Sequence, residues 1–330
     1  MSRRGWMLFV SMSLIWGIPY LLIKVADAGV APAVLVLARV TIGAAILIPI
    51  AVGRRELAPL LPYWRWLILF ALVEIIIPWL LLSEAETRLS SSLSGLLIAS
   101  VPILVAVFGR LTGGQERLTP IRWAGLLVGL GGVALLVVGN GTHGDAGSVA
   151  EVLGVAVCYS IGPLIVARKL SELPSLGMTA ACLAFAAVVY APIAALAWPQ
   201  AMPSGQVVAS LAGLAVVCTA VAFVLFFALI AEAGPARASV ITYVNPAVAV
   251  ILGIAVLGER LTATMAVAFL LILGGSVLAT RKASPADGGV GGSVAGGGAA
   301  GGGVAGRGEQ PDADRSLTAR YESATPGPHD

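Results

Sequence analysis

Residues 246–275 read "PAVAVILGIAVLGERLTATMAVAFLLILGG", and residues 102–132 read "PILVAVFGRLTGGQERLTPIRWAGLLVGLGG". With one residue inserted before Glu116, the two ERLT words and the glycine pairs Gly131/Gly132 and Gly274/Gly275 fall into register. Pro19 and Lys24 stand opposite Pro163 and Arg168 at the same offset as the two leading prolines, Pro102 and Pro246. Self-similarity at a fixed offset marks a duplicated unit. What surrounds the ERLT words is almost wholly apolar, so the solvent this unit meets decides its fold.

That solvent is lipid. Hydrophobic residues make up 58% of the chain and charged residues 11%, whereas soluble domains carry about a quarter charged residues. Runs of about 20 apolar residues, each long enough to cross a hydrocarbon core of roughly 30 Å as a helix, recur from Trp6 to Thr280. Barrel strands would need only about 10 residues of alternating polarity. Ten spans are expected, near residues 6–25, 33–52, 66–83, 92–110, 120–139, 149–167, 177–197, 207–230, 237–257 and 262–280. The repeated unit then holds five helices, and an odd number turns its second copy upside down. The expected fold is an all-α integral membrane protein of ten transmembrane helices. They form two inverted five-helix repeats, residues 1–140 and 141–282. Residues 283–330 are Gly- and Ala-rich without apolar periodicity, and are expected to be a disordered cytoplasmic tail.

Charge placement orients the helices. With the N-terminus inside, Arg3, Arg4, Arg54, Arg55, Arg65, Arg110, Arg117, Arg122, Arg168, Lys169, Arg237, Arg281 and Lys282 fall on the cytoplasmic side. Lys24, Arg88 and Arg260 fall outside, as the positive-inside rule requires. Both termini are expected in the cytoplasm, with the chain in the inner or plasma membrane. "SRR", an apolar stretch and "ADA" also resemble a cleavable signal peptide. The length of the run and the repeat's need for this helix favour retention.

Proline breaks recur in pairs, Pro19 with Pro163 and Pro102 with Pro246. Each removes a helical hydrogen bond, and in lipid the freed carbonyl must find protein or water. They are hinge candidates, against the plainer reading of static kinks. Glu74, in "ILFALVEIIIPWLLL", lies deep in the third span. A charged carboxyl at the bilayer centre costs about 2.5–3.5 kcal/mol on insertion scales and usually faces a cavity or a partner. It is a candidate for proton coupling or for a cationic substrate group; a structural, paired or protonated glutamate is the alternative. Cys218 takes its place in the second copy, so this charge is not part of the shared scaffold. Arg39 must snorkel, pair or meet water, and a pair with Glu74 requires the second and third helices to adjoin. Lys24, near a span end, is expected to snorkel. Trp16, Tyr159, Tyr243 and Asn245 lie beside the breaks and are candidate pocket residues, against packing and interhelical hydrogen bonding. Gly125 with Gly129, and Gly131 with Gly132, permit close helix approach within the chain or in a homodimer. In ERLT the threonine can cap a helix, and the glutamate suits that helix's positive end.

Other chemistries lack their motifs. Cys158, Cys182 and Cys218 fall inside spans without metal-ligand spacing. "GNGTHG" at residues 139–144 follows a membrane helix rather than a strand, so it is no dinucleotide loop. No Walker A, H-E-x-x-H or G-x-S-x-G motif is present, and the tail has no basic cluster. No cofactor, metal, nucleic acid or enzymatic activity is expected.

"LIWGIPYLLIKVADAGVAPAVLVLARVTIGAAILI", "GPARASVITYVNPAVAVILGIAVLGERLT" and "LLILGGSVLA" resemble the EamA-type repeat of the drug/metabolite transporter superfamily, over roughly residues 6–280. The first copy departs from the pattern at "GGQERLT". The resemblance implies ten helices in an inverted pair of repeats, no ATP hydrolysis, and efflux or exchange of small metabolites. It also places Arg39 and Lys24 at family positions. A secondary transporter is therefore expected, working by alternating access on small polar or amphipathic molecules such as amino acids or drugs. Its substrate site should lie near the midplane. An uncoupled facilitator and a non-transporting receptor or scaffold are the alternatives.

Overall fold

A computed structural model describes residues 2–111, 120–139, 146–234, 238 and 240–280, and the described residues contain no strand. They form ten helical rods: α1 (Arg3–Ala26), α2 (Pro32–Gly53), α3 (Ala58–Arg88), α4 (Ser91–Phe108), α5 (Pro120–Val138), α6 (Ala146–Leu170), α7 (Ser175–Leu196), α8 (Gly205–Ala233), α9 (Ile241–Leu257) and α10 (Ala263–Ala279). The first eight are long and apolar enough to cross a membrane; α9 and α10 are shorter. At 17 residues α9 still reaches about 26 Å. The first ERLT word, residues 140–144 of the glycine loop and the expected tail all lie outside the described residues.

The most extensive pairings set α10 along α5 and α7 along α2; α3 packs on α6, α9 on α4, and α8 on α1 and α2. Lipid supplies no hydrophobic drive for helix association, so close van der Waals fit decides which faces meet. The α5–α10 contact shows the rule. A Cβ on Gly275 would strike the backbone of Gly129 and Gly125, so the two helices touch main chain to main chain. Gly132 packs against Ala268 and Ile272, while Gly131 and Gly274 face open space. The close approach foreseen for these glycines is therefore made within the chain at Gly125, Gly129 and Gly132, and not at Gly131.

The rods are not uniform. α1 is interrupted between Ile15 and Pro19, and α4 between Ile98 and Val101, next to Pro102. Pro163 and Pro246 lie inside unbroken α-helical segments. π turns occupy Leu72–Ile76 in α3, Val166–Leu170 in α6 and Gly213–Val221 in α8. The first and last contain Glu74 and Cys218, the positions matched by the sequence repeat. In α3 the Ile77 N–H reaches back to the Leu72 carbonyl, Pro78 has no N–H to donate, and the Ile76 carbonyl accepts the Tyr190 hydroxyl from α7. Single π turns of this kind are frequent at functional sites.

Candidate functional site

Glu74 sits in the π turn of α3, facing α6. A Cβ at Gly162 would overlap its Oε2, and the Phe70 ring lies 3.6 Å from the same point. The missing side chain at Gly162 is thus what gives the carboxyl room. Oε2 is shielded from solvent and has no hydrogen-bond partner. Tyr159 stands three residues before Gly162, so both lie on one face of α6. Glu74 and Arg39 both act electrostatically on Tyr159, and Trp79 lies beside it.

Arg39 is buried, at 7% exposure. Its guanidinium carbon lies 3.6 Å from the centre of the Trp79 ring, and its Nε donates to Thr219 Oγ1 at 2.9 Å. The Thr219 hydroxyl in turn donates to the Leu214 carbonyl at 2.8 Å, inside the π turn of α8. A desolvated cation over an aromatic face gains about 2 kcal/mol or more, so Arg39 is held without a carboxylate. The ion pairs among the described residues do not include Arg39 with Glu74. The physical reason is direction: Glu74 turns toward α6, and Arg39 reaches α8.

Of the sequence candidates, Arg39 and Glu74 both approach Tyr159, with Trp79 beside Tyr159 and under Arg39. Trp16 does not join them. Its ring packs on Phe226 at 4.6 Å and Phe223 at 6.0 Å, both from α8. Asn245, with its amide oriented by the available acceptors, donates to the Ile241 carbonyl at 2.9 Å and the Ser13 carbonyl at 3.2 Å. It fastens α9 to α1 at the break, where Gly17 abuts Val248. Tyr243 lies half-buried on α9 nearby.

One end of the bundle carries a second polar network. Lys24 Nζ donates to the carbonyls of Glu86 at 2.5 Å and Leu89 at 2.8 Å. It therefore caps the C-terminal end of α3 rather than snorkelling. Glu259 Oε1 accepts from Ser91 N at 2.7 Å and Ser91 Oγ at 2.9 Å, and Oε2 accepts from Ser92 N at 2.9 Å and Ser92 Oγ at 2.5 Å. A carboxylate belongs at such a helix N-terminus. Burial works against its charge, but the Ser92 and Ser91 donors outweigh it and hold Glu259 below the usual glutamate range. Thr262 caps its own helix, accepting from Met265 N at 3.1 Å. So the threonine of this ERLT word acts as foreseen, while its glutamate caps α4 instead. Gly253 keeps the site open, since a Cβ there would strike Glu259 Oε2 and Ser92 Oγ.

Asp27 follows α1, and neither of its carboxyl oxygens has a hydrogen-bond partner. Burial pushes its pKa up from 3.8 to about 8, with Lys24 opposing and Glu84 adding to the rise. Folded protein thus keeps a proton that the unfolded chain loses near 3.8. That contribution to stability is complete below 3.8 and disappears as pH rises through about 8. Asp27→Asn is expected to abolish this fall, measured as detergent-phase thermal midpoints across the same range; parallel curves for variant and parent would refute it.

The residues that sequence reasoning missed are mostly partners of charges, with Glu86 the one ionisable group among them. Gly162, Trp79 and Thr219 complete the central group, and Glu86, Ser91 and Ser92 complete the end network. Nothing local in the sequence joins Gly162 to Glu74 or Glu259 to the serines, because each contact crosses between helices far apart in the chain.

The description "EamA-like transporter family" matches the chain twice, at residues 3–138 and 148–281; the first match spans α1–α5, and the second runs from the third residue of α6 to past the end of α10. The chain belongs to the EamA-like transporter family. This EamA-like protein is 26% identical over 256 residues to the uncharacterized inner membrane transporter YedA of Escherichia coli K12, covering 76% of this chain and 82% of that one. It is 25% identical over 277 residues to the uncharacterized transporter YvbV of Bacillus subtilis 168, covering 82% and 90%. A crystal structure at 23% identity shares the fold, with a TM-score of 0.61 over 84% of this chain and 96% of the other. With its apolar rods and this family membership, the EamA-like protein is a multi-pass membrane transporter.

Proposed function

We propose that this chain is a secondary active transporter that exports or exchanges small polar or amphipathic metabolites by alternating access. Amino acids, related compounds and drugs are the substrate classes. The observation that carries this is Glu74: a carboxyl within a span, at a π turn, with a shielded oxygen lacking a partner, near Tyr159, which Arg39 and Trp79 also approach. Ionisable groups placed so in membranes mark substrate or proton pathways. Glu74 can pair with a cationic amine or take up a proton. Arg39 stays charged, and Trp79 and Tyr159 give an aromatic wall.

The ten rods are read as ten spans in two inverted five-helix repeats, with both termini cytoplasmic and the Lys24–Glu259 end outermost. Three observations support this. The family description matches twice. The pairings α5–α10 and α2–α7 join equivalent helices, and α3–α6 mirrors α8–α1, as an in-plane pseudo-twofold would arrange them. π turns stand at matched positions in both halves. The halves rock about the central group, with Pro19, Pro102, Pro163 and Pro246 as hinge positions.

The experiment is flux in liposomes holding the purified protein, with a panel of labelled amino acids and cationic drugs under imposed substrate and pH gradients. Uptake driven by a pH gradient and lost in Glu74→Gln is expected. Binding without movement under any gradient would favour a receptor, and pH-insensitive movement down its own gradient would favour a facilitator.

A further inference from the structure

Glu86 lies in the last turn of α3 with 0% exposure, and neither carboxyl oxygen has a hydrogen-bond partner. The ionisable groups that face it are Tyr20 and Lys24 from α1, Asp27 just after it, and Glu259 from the α9–α10 connection. Lys24 is the sole cation among these four, and its ammonium is committed to main-chain carbonyls, one of them Glu86's own. None of these groups takes part in the ion pairs found among the described residues, Arg4–Glu232, Arg54–Glu56 and Arg88–Glu151. Lys24 also lines a cavity of about 710 Å³, together with Gly29, Gln200, Ser204, Gln206 and Leu257. Lys24 therefore borders both this mixed polar and apolar space and the last turn of α3, where Glu86 sits.

A carboxyl enclosed this fully is stable in two ways: it binds a proton, or it gains a cation. A metal ion is poorly served, since no cluster of three acid, histidine or cysteine side chains able to hold one occurs among the described residues. Lys24 can supply the cation only by leaving the carbonyls at the end of α3.

We propose that Glu86 is a proton-binding site, separate from Glu74 and loaded from the cavity beside Lys24. When Glu86 holds its proton, Lys24 stays on the helix end, as in this structure. When the proton leaves toward the cavity, the flexible lysine stem turns its ammonium from the carbonyls to the carboxylate. Proton occupancy thereby sets whether α1 is tied to the backbone or to the side chain of α3's last turn.

Infrared difference spectroscopy on the protein in lipid tests this directly and requires no substrate. The expected result is a carboxyl band that titrates within about pH 4 to about 10, present in the parent and in Glu74→Gln but absent in Glu86→Gln. Lys24→Met should move the midpoint of that band up by about one pH unit, because an opposite charge is removed. This second variant keeps the test valid if Glu86→Gln fails to fold. A spectrum unchanged in Glu86→Gln, a Glu86 carboxyl fixed in one state over the whole range, or a midpoint indifferent to Lys24→Met overturns the proposal. Loss of transport in Glu74→Gln bears on the central group alone, so the two readings fail separately.

Discussion

Glu74→Gln is expected to lower proton-driven flux at least about tenfold, equivalent to ~1.4 kcal/mol of barrier, and to flatten what remains against pH. Gly162→Ala should reproduce most of that loss without touching an ionisable group. A methyl at Gly162 overlaps Glu74 Oε2, so the carboxyl must leave its place or α6 must shift. The pair separates function from folding. Glu74→Ala removes the overlap, so the double variant Glu74→Ala/Gly162→Ala should be as stable as Glu74→Ala while remaining inactive. Initial rates in proteoliposomes across a pH series, together with thermal midpoints, give both readouts. If Gly162→Ala transports at the parent rate with an unaltered pH profile, the carboxyl is not held where this geometry puts it.

The largest loss of stability is expected from Gly275→Leu. Overfilling a packed core costs typically 1–3 kcal/mol when neighbouring side chains can rearrange. At Gly275 the obstructing atoms are the Gly129 and Gly125 backbone, which cannot change rotamer, so at least about 3 kcal/mol is expected. Gly274→Leu is the matched control, because that position meets nothing. Its effect should stay within about 0.5 kcal/mol. Unfolding in mixed micelles measures both, and equal losses would show that α5 and α10 do not meet along this face.

How much of this was legible beforehand depends on how local each signal is. Apolar runs gave the rods well, because each span is set by its own composition. The third helix runs over Ala58–Arg88, beyond the expected 66–83, because the charges in "SEAETR" end the apolar run without ending the helix. The buried Glu86 lies in that extension. Glu74 and Arg39 stood out as charges in apolar runs, whereas their surroundings did not. Whether Arg39 meets Glu74 or Trp79 depends on helix rotation, and a π turn changes that rotation without leaving a motif. The two pairs of matched prolines looked alike in sequence, yet the helix is broken beside Pro19 and Pro102 and runs on through Pro163 and Pro246. A missing N–H weakens a helix at a known place, but neighbouring helices decide whether it opens there.

The Glu259 contact with Ser91 and Ser92 has a mechanical consequence. It joins residues from the two separately matched stretches of the chain, so parting them there means undoing four hydrogen bonds at once. The strength of this seal rests on a negative charge held below the ordinary glutamate range. The four contacts therefore hold wherever Glu259 is ionised, and weaken once the pH falls below the usual glutamate range.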